Sequence, residues 1–183
     1  MMKKGFFLLI TFVLCSSYSP KVGDIIDVFN GVEVFYNGKK FTNVHGRNVT
    51  PDGYNLGLKY QCVEFVKRYY YQAFNHKMPD PSGNAKDYFD DNLPDVAFNK
   101  KRGLIQYRNV RYEKPAVHDI LIYGPRPDNP FGHVAIITKV SDHEVEFIQQ
   151  NIGYKSREKL QLSEFQGIYN VVDYDILGWL RKP

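Results

Sequence analysis

Cysteine is nearly absent. The 183-residue chain has two, Cys15 and Cys62, and only Cys62 is left once a secretion leader is removed, which excludes a structural disulfide within the remaining chain. No Cys pair and no His-x-x-x-His spacing occurs, so the metal sites built on those patterns are not expected. Neither a Walker nor a Rossmann glycine pattern is present, and no cofactor is expected. Charge of one sign is lacking too. The 24 Lys and Arg stand against 20 Asp and Glu, scattered along the chain, which leaves no basic footprint for nucleic acid. Long hydrophobic runs are missing: the run from Gly5 to Leu14 is too short to span a bilayer as a stable helix. With no internal repeat and no linker-like tract, the chain reads as one ordinary domain with room for a sizeable core.

What is present begins with Lys3 and Lys4, the short apolar run, and then small residues. That is the layout of a secretory signal peptide over residues 1–19, with cleavage near Ser17 or Ser19. Residues 20–183 would then be secreted or periplasmic. Cys15 stands where a bacterial lipoprotein is acylated, so a lipid-anchored form is the alternative, although Leu14 precedes it where a small residue is usual. Tyrosine and phenylalanine are abundant, at 14 and 13, which favours strands and a filled core over disorder.

Along the chain, VGDIIDVF and VEVFYNG are short apolar runs punctuated by Asn30-Gly31 and Asn37-Gly38, which signals hairpin or loop structure. Asn48-Val49-Thr50 has the form of a glycosylation acceptor, with Pro51 directly after it. From Gln61 to about Phe74 the spacing becomes helical: Cys62, Phe65, Val66, Tyr69 and Ala73 share a face, with Glu64, Lys67, Arg68 and Gln72 between them. Asn75, Pro79 and Pro81 end this helix. A second, weaker helix is expected from Asn84 to Asp91. HDILIYG, GHVAIITKVS, EVEFIQQN and ILGWLRK then read as strands. Helices first and antiparallel strands afterwards indicate an α+β fold.

Cys62 falls in the first turn of the predicted helix, where free N–H groups and the helix dipole favour an anion, so a depressed thiol pKa is expected. The alternative is a cysteine buried as a small apolar residue. A nucleophile needs a base. His45, His76 and His143 read as solvated surface residues, and His118 as turn chemistry at a strand entrance. His133 differs, because Gly132 precedes it and the apolar VAIIT follows, so a sheet would hold it rigidly. An orienting group could come from the next strand, where Gln149 and Asn151 share a face and Gln150 opposes them.

YQCVEF opening a helix, GHVAIIT opening a strand and a following strand ending in EFIQQN resemble the CHAP amidases, the cysteine- and histidine-dependent amidohydrolases and peptidases. Within that group the chain is similar to the amidase domain of glutathionylspermidine synthetase/amidases, over most of residues 25–181. The resemblance implies a papain-like α+β core, its nucleophile helix packed on an antiparallel sheet, with residues 20–183 forming the domain. Carried over by position, Cys62 is the nucleophile, His133 the base and Gln149 the orienting residue. Gln61, Lys67 and Asn151 fall at substrate-binding positions, Gln61 near the oxyanion hole. Two positions depart from the pattern: Gln149 is neutral where that amidase domain has a glutamate, and Lys67 replaces an arginine. The substrate implied is a peptide-type amide, either a peptidoglycan stem peptide or a small-molecule conjugate of the glutathionylspermidine type. The Gln149 departure also raises the alternative of a non-catalytic module that keeps the groove.

Overall fold

The computed structural model describes residues 19–183. The leader expected at residues 1–19, Ser19 apart, and Cys15 with it, lie outside the described residues. No helix among the described residues is long and apolar enough to cross a membrane.

The chain opens with two hairpins. Strands β1 (Ile25–Phe29) and β2 (Val32–Phe35) pair antiparallel. They are joined by Asn30 and Gly31, both at positive φ (49° and 77°), as a two-residue type I′ turn requires. Strands β3 (Arg47–Val49) and β4 (Asn55–Leu58) form the second hairpin. The single α-helix among the described residues, α1, follows over Cys62–Phe74. It stops where Asn75 turns left-handed (φ 49°, ψ 35°), a conformation that asparagine tolerates at a helix end. The weaker helix expected from Asn84 to Asp91 is a single 3-10 turn, Ala85–Tyr88, capped reciprocally by Asn84 and Asp87.

The rest is sheet. Strands β5 (Ala97–Asn99), β6 (Leu104–Arg108), β7 (Ile120–Tyr123), β8 (His133–Val140), β9 (Glu144–Ile148), β10 (Arg157–Phe165), β11 (Ile168–Val171) and β12 (Ile176–Arg181) form one antiparallel sheet. Its order is β11-β10-β9-β8-β7-β12-β6-β5. Sheet outweighs helix more than the sequence suggested. The four strands read from ILIY, HVAIITKV, EVEFI and ILGWLR are all present.

Strands β7 and β8 are apolar on both faces because both faces are buried. Ile120, Ile122, Val134 and Ile136 pack under α1 with Phe65, Val66, Tyr69 and Tyr70. Leu121, Ala135 and Ile137 point the other way, to Phe147, Leu162, Val171 and Trp179. The second cluster is covered because the sheet curls. Tyr169 in β11 exchanges two backbone hydrogen bonds with Arg111, at 2.7 and 3.0 Å. The Asn109 side chain bonds both backbone groups of Val171, at 2.9 and 3.0 Å. The edge strand thus meets the segment just after β6, and the sheet approaches a barrel.

Glu64, Lys67 and Arg68, which stand between the apolar positions of α1, are all buried. The reason is the hairpin layer: α1 packs on β8 beneath and on β2 and β4 above, so its first two turns have no wet side. Arg157 pins the first hairpin to the sheet, its Nε 2.9 Å from Asp27 and its Nη1 3.2 Å from Glu146.

Phe65 is fully buried between helix and sheet. Its replacement by alanine should cost about 3–5 kcal/mol, read as a lower urea midpoint at unchanged slope.

Candidate active site

Residue 61 is the helix N-cap in extended conformation, and no side chain caps the first turn. The free N–H groups of that turn therefore remain available to other acceptors. Cys62 begins the helix, 8% exposed. The backbone N–H groups of Val134, Val63 and Cys62 itself favour its thiolate form. Val134 belongs to β8, so the helix start abuts the strand that carries His133.

His133 lies at the first position of β8. Gly132 precedes it at φ +73°, and a Cβ there would sit 2.6 Å from the Tyr123 carbonyl oxygen and 3.0 Å from the Lys86 nitrogen. Only glycine fits that approach. Strands β8 and β9 are antiparallel neighbours, and β9 ends at Ile148. Gln149, one residue on, reaches across so that its Oε1 lies 2.9 Å from His133 Nε2. That contact fixes which ring nitrogen carries the proton and leaves Nδ1 for a second partner. Cys62 and His133 both line one cleft of about 770 Å³ between the second hairpin, α1, the 81–85 loop and the 126–133 loop.

Burial sets the protonation of the pair. It pushes the Cys62 thiol up to about 11, only partly countered by the three N–H groups. It pushes the His133 imidazole down to about 4, opposed by the Gln149 bond. The depressed thiol pKa expected from the helix start is therefore overturned, because desolvation outweighs the amides. Burial thus favours the neutral form of both groups at neutral pH.

The other residues at substrate positions do structural work. Gln61 donates from Nε2 to the carbonyls of Phe41 (3.0 Å) and Asn43 (2.7 Å), and its Oε1 accepts from Asn151 Nδ2 at 2.6 Å. Asn151, at φ +76°, also donates to Phe41 O and accepts from Asn37. Both line the cleft, but their polar groups are engaged in holding the 37–43 loop. Lys67 does not line the cleft. Fully buried, it donates to the carbonyls of Asn55 and of Pro81, the latter at 2.8 Å, and burial lowers its pKa to about 8. It braces two cleft walls from behind, in place of the substrate contact expected of it.

Gln150 was read only as the opposing residue, and that placement holds. It joins a buried network: Oε1 accepts from Phe35 N (2.8 Å) and Arg68 Nη2 (3.3 Å), while Nε2 donates to Gln61 O and Glu64 Oε2. Glu64 and Arg68 form the ion pair at its centre, at 2.6 Å. An acid and a base at i, i+4 on the helix was the one local sign of it. Asn48 donates to Glu64 Oε1 at 2.8 Å, so the side chain of the glycosylation pattern is engaged inside the fold. Of the other histidines, His118 pairs through Nδ1 with Tyr69 Oη at 2.6 Å in an aromatic cluster with Phe29 and Phe74. His76, read as solvated, is half-buried with Nε2 2.8 Å from Arg102 O. Among the described residues no cluster of His, Cys, Asp or Glu could hold a metal.

A thiol at a helix start, an imidazole on the abutting strand and an amide behind that imidazole make the kind of set used for nucleophilic attack on a carbonyl. The CHAP domain family profile matches residues 51–151, a span that contains Cys62, His133, Gln149 and Asn151, and the chain belongs to that family of amidases and peptidases. It is 30% identical over 161 residues to trypanothione synthetase of Crithidia fasciculata, covering 81% of this chain and 24% of that protein. It is 29% identical over 147 residues to the bifunctional glutathionylspermidine synthetase/amidase of Escherichia coli (strain K12), covering 73% and 23%. The chain thus spans about a quarter of the length of these relatives. A solved structure of the endolysin LysIME-EF1 aligns over 78% of this chain and 61% of its own at 19% identity, with a TM-score of 0.41, too loose a match to define a shared fold.

Two outcomes follow from the burial of the pair. Iodoacetamide should label Cys62 slowly at pH 7 and faster as pH rises above the ordinary thiol value of 9; fast labelling below pH 7 would reveal a preformed thiolate–imidazolium pair instead. The His133 imidazole, lowered from 6.5 to about 4, contributes stability that is whole above pH 6.5 and lost as pH falls from 6.5 to 4, because there the unfolded chain binds the extra proton. Urea midpoints compared across that window should fall more steeply for the wild type than for His133→Gln.

Proposed function

We propose that this chain is a cysteine amidohydrolase that cleaves peptide-type amide bonds through a thioester acyl-enzyme, on a papain-like arrangement of nucleophile helix and sheet. The observation that carries it is the 2.9 Å contact from Gln149 Oε1 to His133 Nε2, which leaves Nδ1 outside that bond in a residue that lines the same cleft as Cys62. With both groups neutral at rest, His133 acts as a general base. As Sγ attacks the carbonyl carbon, the thiol proton passes to Nδ1 and charge gathers on the carbonyl oxygen. The first-turn N–H groups of Cys62 and Val63 are the nearest donors for that oxyanion. Gln61, with its amide engaged on Phe41 and Asn43, shapes the cleft and leaves the oxyanion to the backbone. The imidazolium then protonates the leaving amine, and water activated by the restored imidazole hydrolyses the thioester.

The cleft rim is apolar, with Phe41, Val44, Phe131 and Ile152 exposed; Arg47 flanks it, as does Arg126, which is paired with Asp128 of the same lining. Such a site suits an extended peptide bearing a carboxylate. The secretion leader read at residues 1–19 favours a peptidoglycan stem peptide, cleaved outside the inner membrane. A second reading rests on the names of the relatives: a small-molecule amide of the glutathionylspermidine type.

Full-length protein and Cys62→Ala should be tested side by side on purified sacculi in a zymogram and on glutathionylspermidine for spermidine release. The wild type should clear sacculi, and the alanine variant should lose activity by at least about a thousandfold. Spermidine release alone moves the assignment to the small amide. No cleavage of either leaves a binding module, and cleavage that survives Cys62→Ala overturns the thiol mechanism.

A further inference from the structure

The orienting residue of this site is an amide, so nothing in direct contact with His133 neutralises the imidazolium formed during attack. A carboxylate stands one step behind. Gln149 Nε2 lies 3.2 Å from Glu158 Oε2 and 3.3 Å from the Lys155 carbonyl oxygen. Both are acceptors, so both partners demand the NH2 end of the amide. The other end, Oε1, is thereby left to accept from His133 Nε2. Glu158 is placed by sheet register: it lies opposite Phe147 in the β9–β10 ladder, and Gln149 N bonds Ser156 O at 2.8 Å. Lys155 Nζ sits 2.5 Å from the other Glu158 oxygen and favours its ionised form.

We propose that Glu158 is a positioning residue acting through Gln149: it locks the amide with Oε1 toward His133 and supplies, from the neighbouring strand, the negative charge that a neutral orienting residue lacks. The inference rests on the cysteine amidohydrolase reading above and deepens it. During attack the Sγ proton moves to Nδ1, Nε2 keeps its proton and its bond to Gln149, and Glu158 stays ionised throughout; no proton travels along the chain. Field effects agree in sign. Glu158 raises the proton affinity of His133, against the larger opposing effect of burial, and Glu158 is itself held below the usual carboxylate range by its bonds to Lys155 and Gln149, against burial. The other groups near the ring are Tyr123 from β7, its ring centroid 5.9 Å away, and Arg126 from the following loop, which opposes protonation; Cys62 lines the same cleft.

The test uses charge removal and charge return. Glu158→Gln keeps an acceptor for the Gln149 NH2 and removes only the charge. Its kcat should fall on the order of tenfold with KM nearly unchanged, and the acid limb of the rate profile should move to lower pH. Gln149→Glu should then have opposite effects in the two backgrounds. In Glu158→Gln it returns a carboxylate to the ring and should restore kcat and move the His133 titration up. In the wild type it sets two carboxylates about 3 Å apart and should harm the enzyme. His133 titration by NMR on the free proteins, all carrying Cys62→Ala, reads the same order without turnover: lowest in Glu158→Gln, higher in wild type, highest in the double replacement. That measurement holds even if the substrate assignment fails. A His133 titration indifferent to Glu158, or a Gln149→Glu change equally harmful in both backgrounds, overturns the proposal.

Discussion

The buried carboxylate of Glu64 is the joint on which the site depends. Arg68 pairs with it one turn along α1, Gln150 reaches it from beyond β9, and Asn48 reaches it from the second hairpin. Arg68 in turn donates to the Glu33 carbonyl in β2. Four segments distant in sequence thus meet at one ion pair. Removing any partner would leave an ion or a donor unpaired where water cannot reach, a far larger loss than the pair contributes in place. The helix start is held against β8 in consequence, and with it the sulfur.

Around this joint the three consecutive amides of Gln149, Gln150 and Asn151 divide the work. Gln149 holds the imidazole, Gln150 ties α1 to the sheet, and Asn151 carries the 37–43 loop through Gln61 and Asn37. All three lie past the end of β9, where Asn151 takes a left-handed φ of +76°. Burial favours the neutral form of both Cys62 and His133, and what offsets it comes from Gln149, Glu158 and the backbone amides around the sulfur.

Most of the frame was legible from periodicity. The helix from Cys62, its end at Asn75 and the strands of the doubly buried centre all carry strong local signals, because apolar runs bounded by glycine or asparagine have few other uses. The β10 strand did not show itself. REKLQLSEF is mostly charged and polar, since its outer side chains pair across to β9, as Lys159 does with Glu144; such a strand is visible only once its neighbour is known. Glu158 was hidden for the same reason. The candidate nucleophile, base and orienting amide could be proposed from residue type and place. Their protonation could not, because desolvation depends on the hairpin layer over α1, and no local pattern announced that layer. The same layer explains why Lys67 is a brace.

Lys67 and Arg102 together have a wider consequence. Arg102, fully buried over the Tyr88 ring, donates to the carbonyls of Asp80, Ser82 and Asp87, and Lys67 takes that of Pro81. The 80–87 wall of the cleft is therefore moored by its main chain to two interior cations. Main-chain carbonyls are common to every residue type, so these moorings do not depend on which side chains stand at 80, 81, 82 and 87. A lineage can vary that part of the groove lining while Cys62, His133 and Gln149 stay in place.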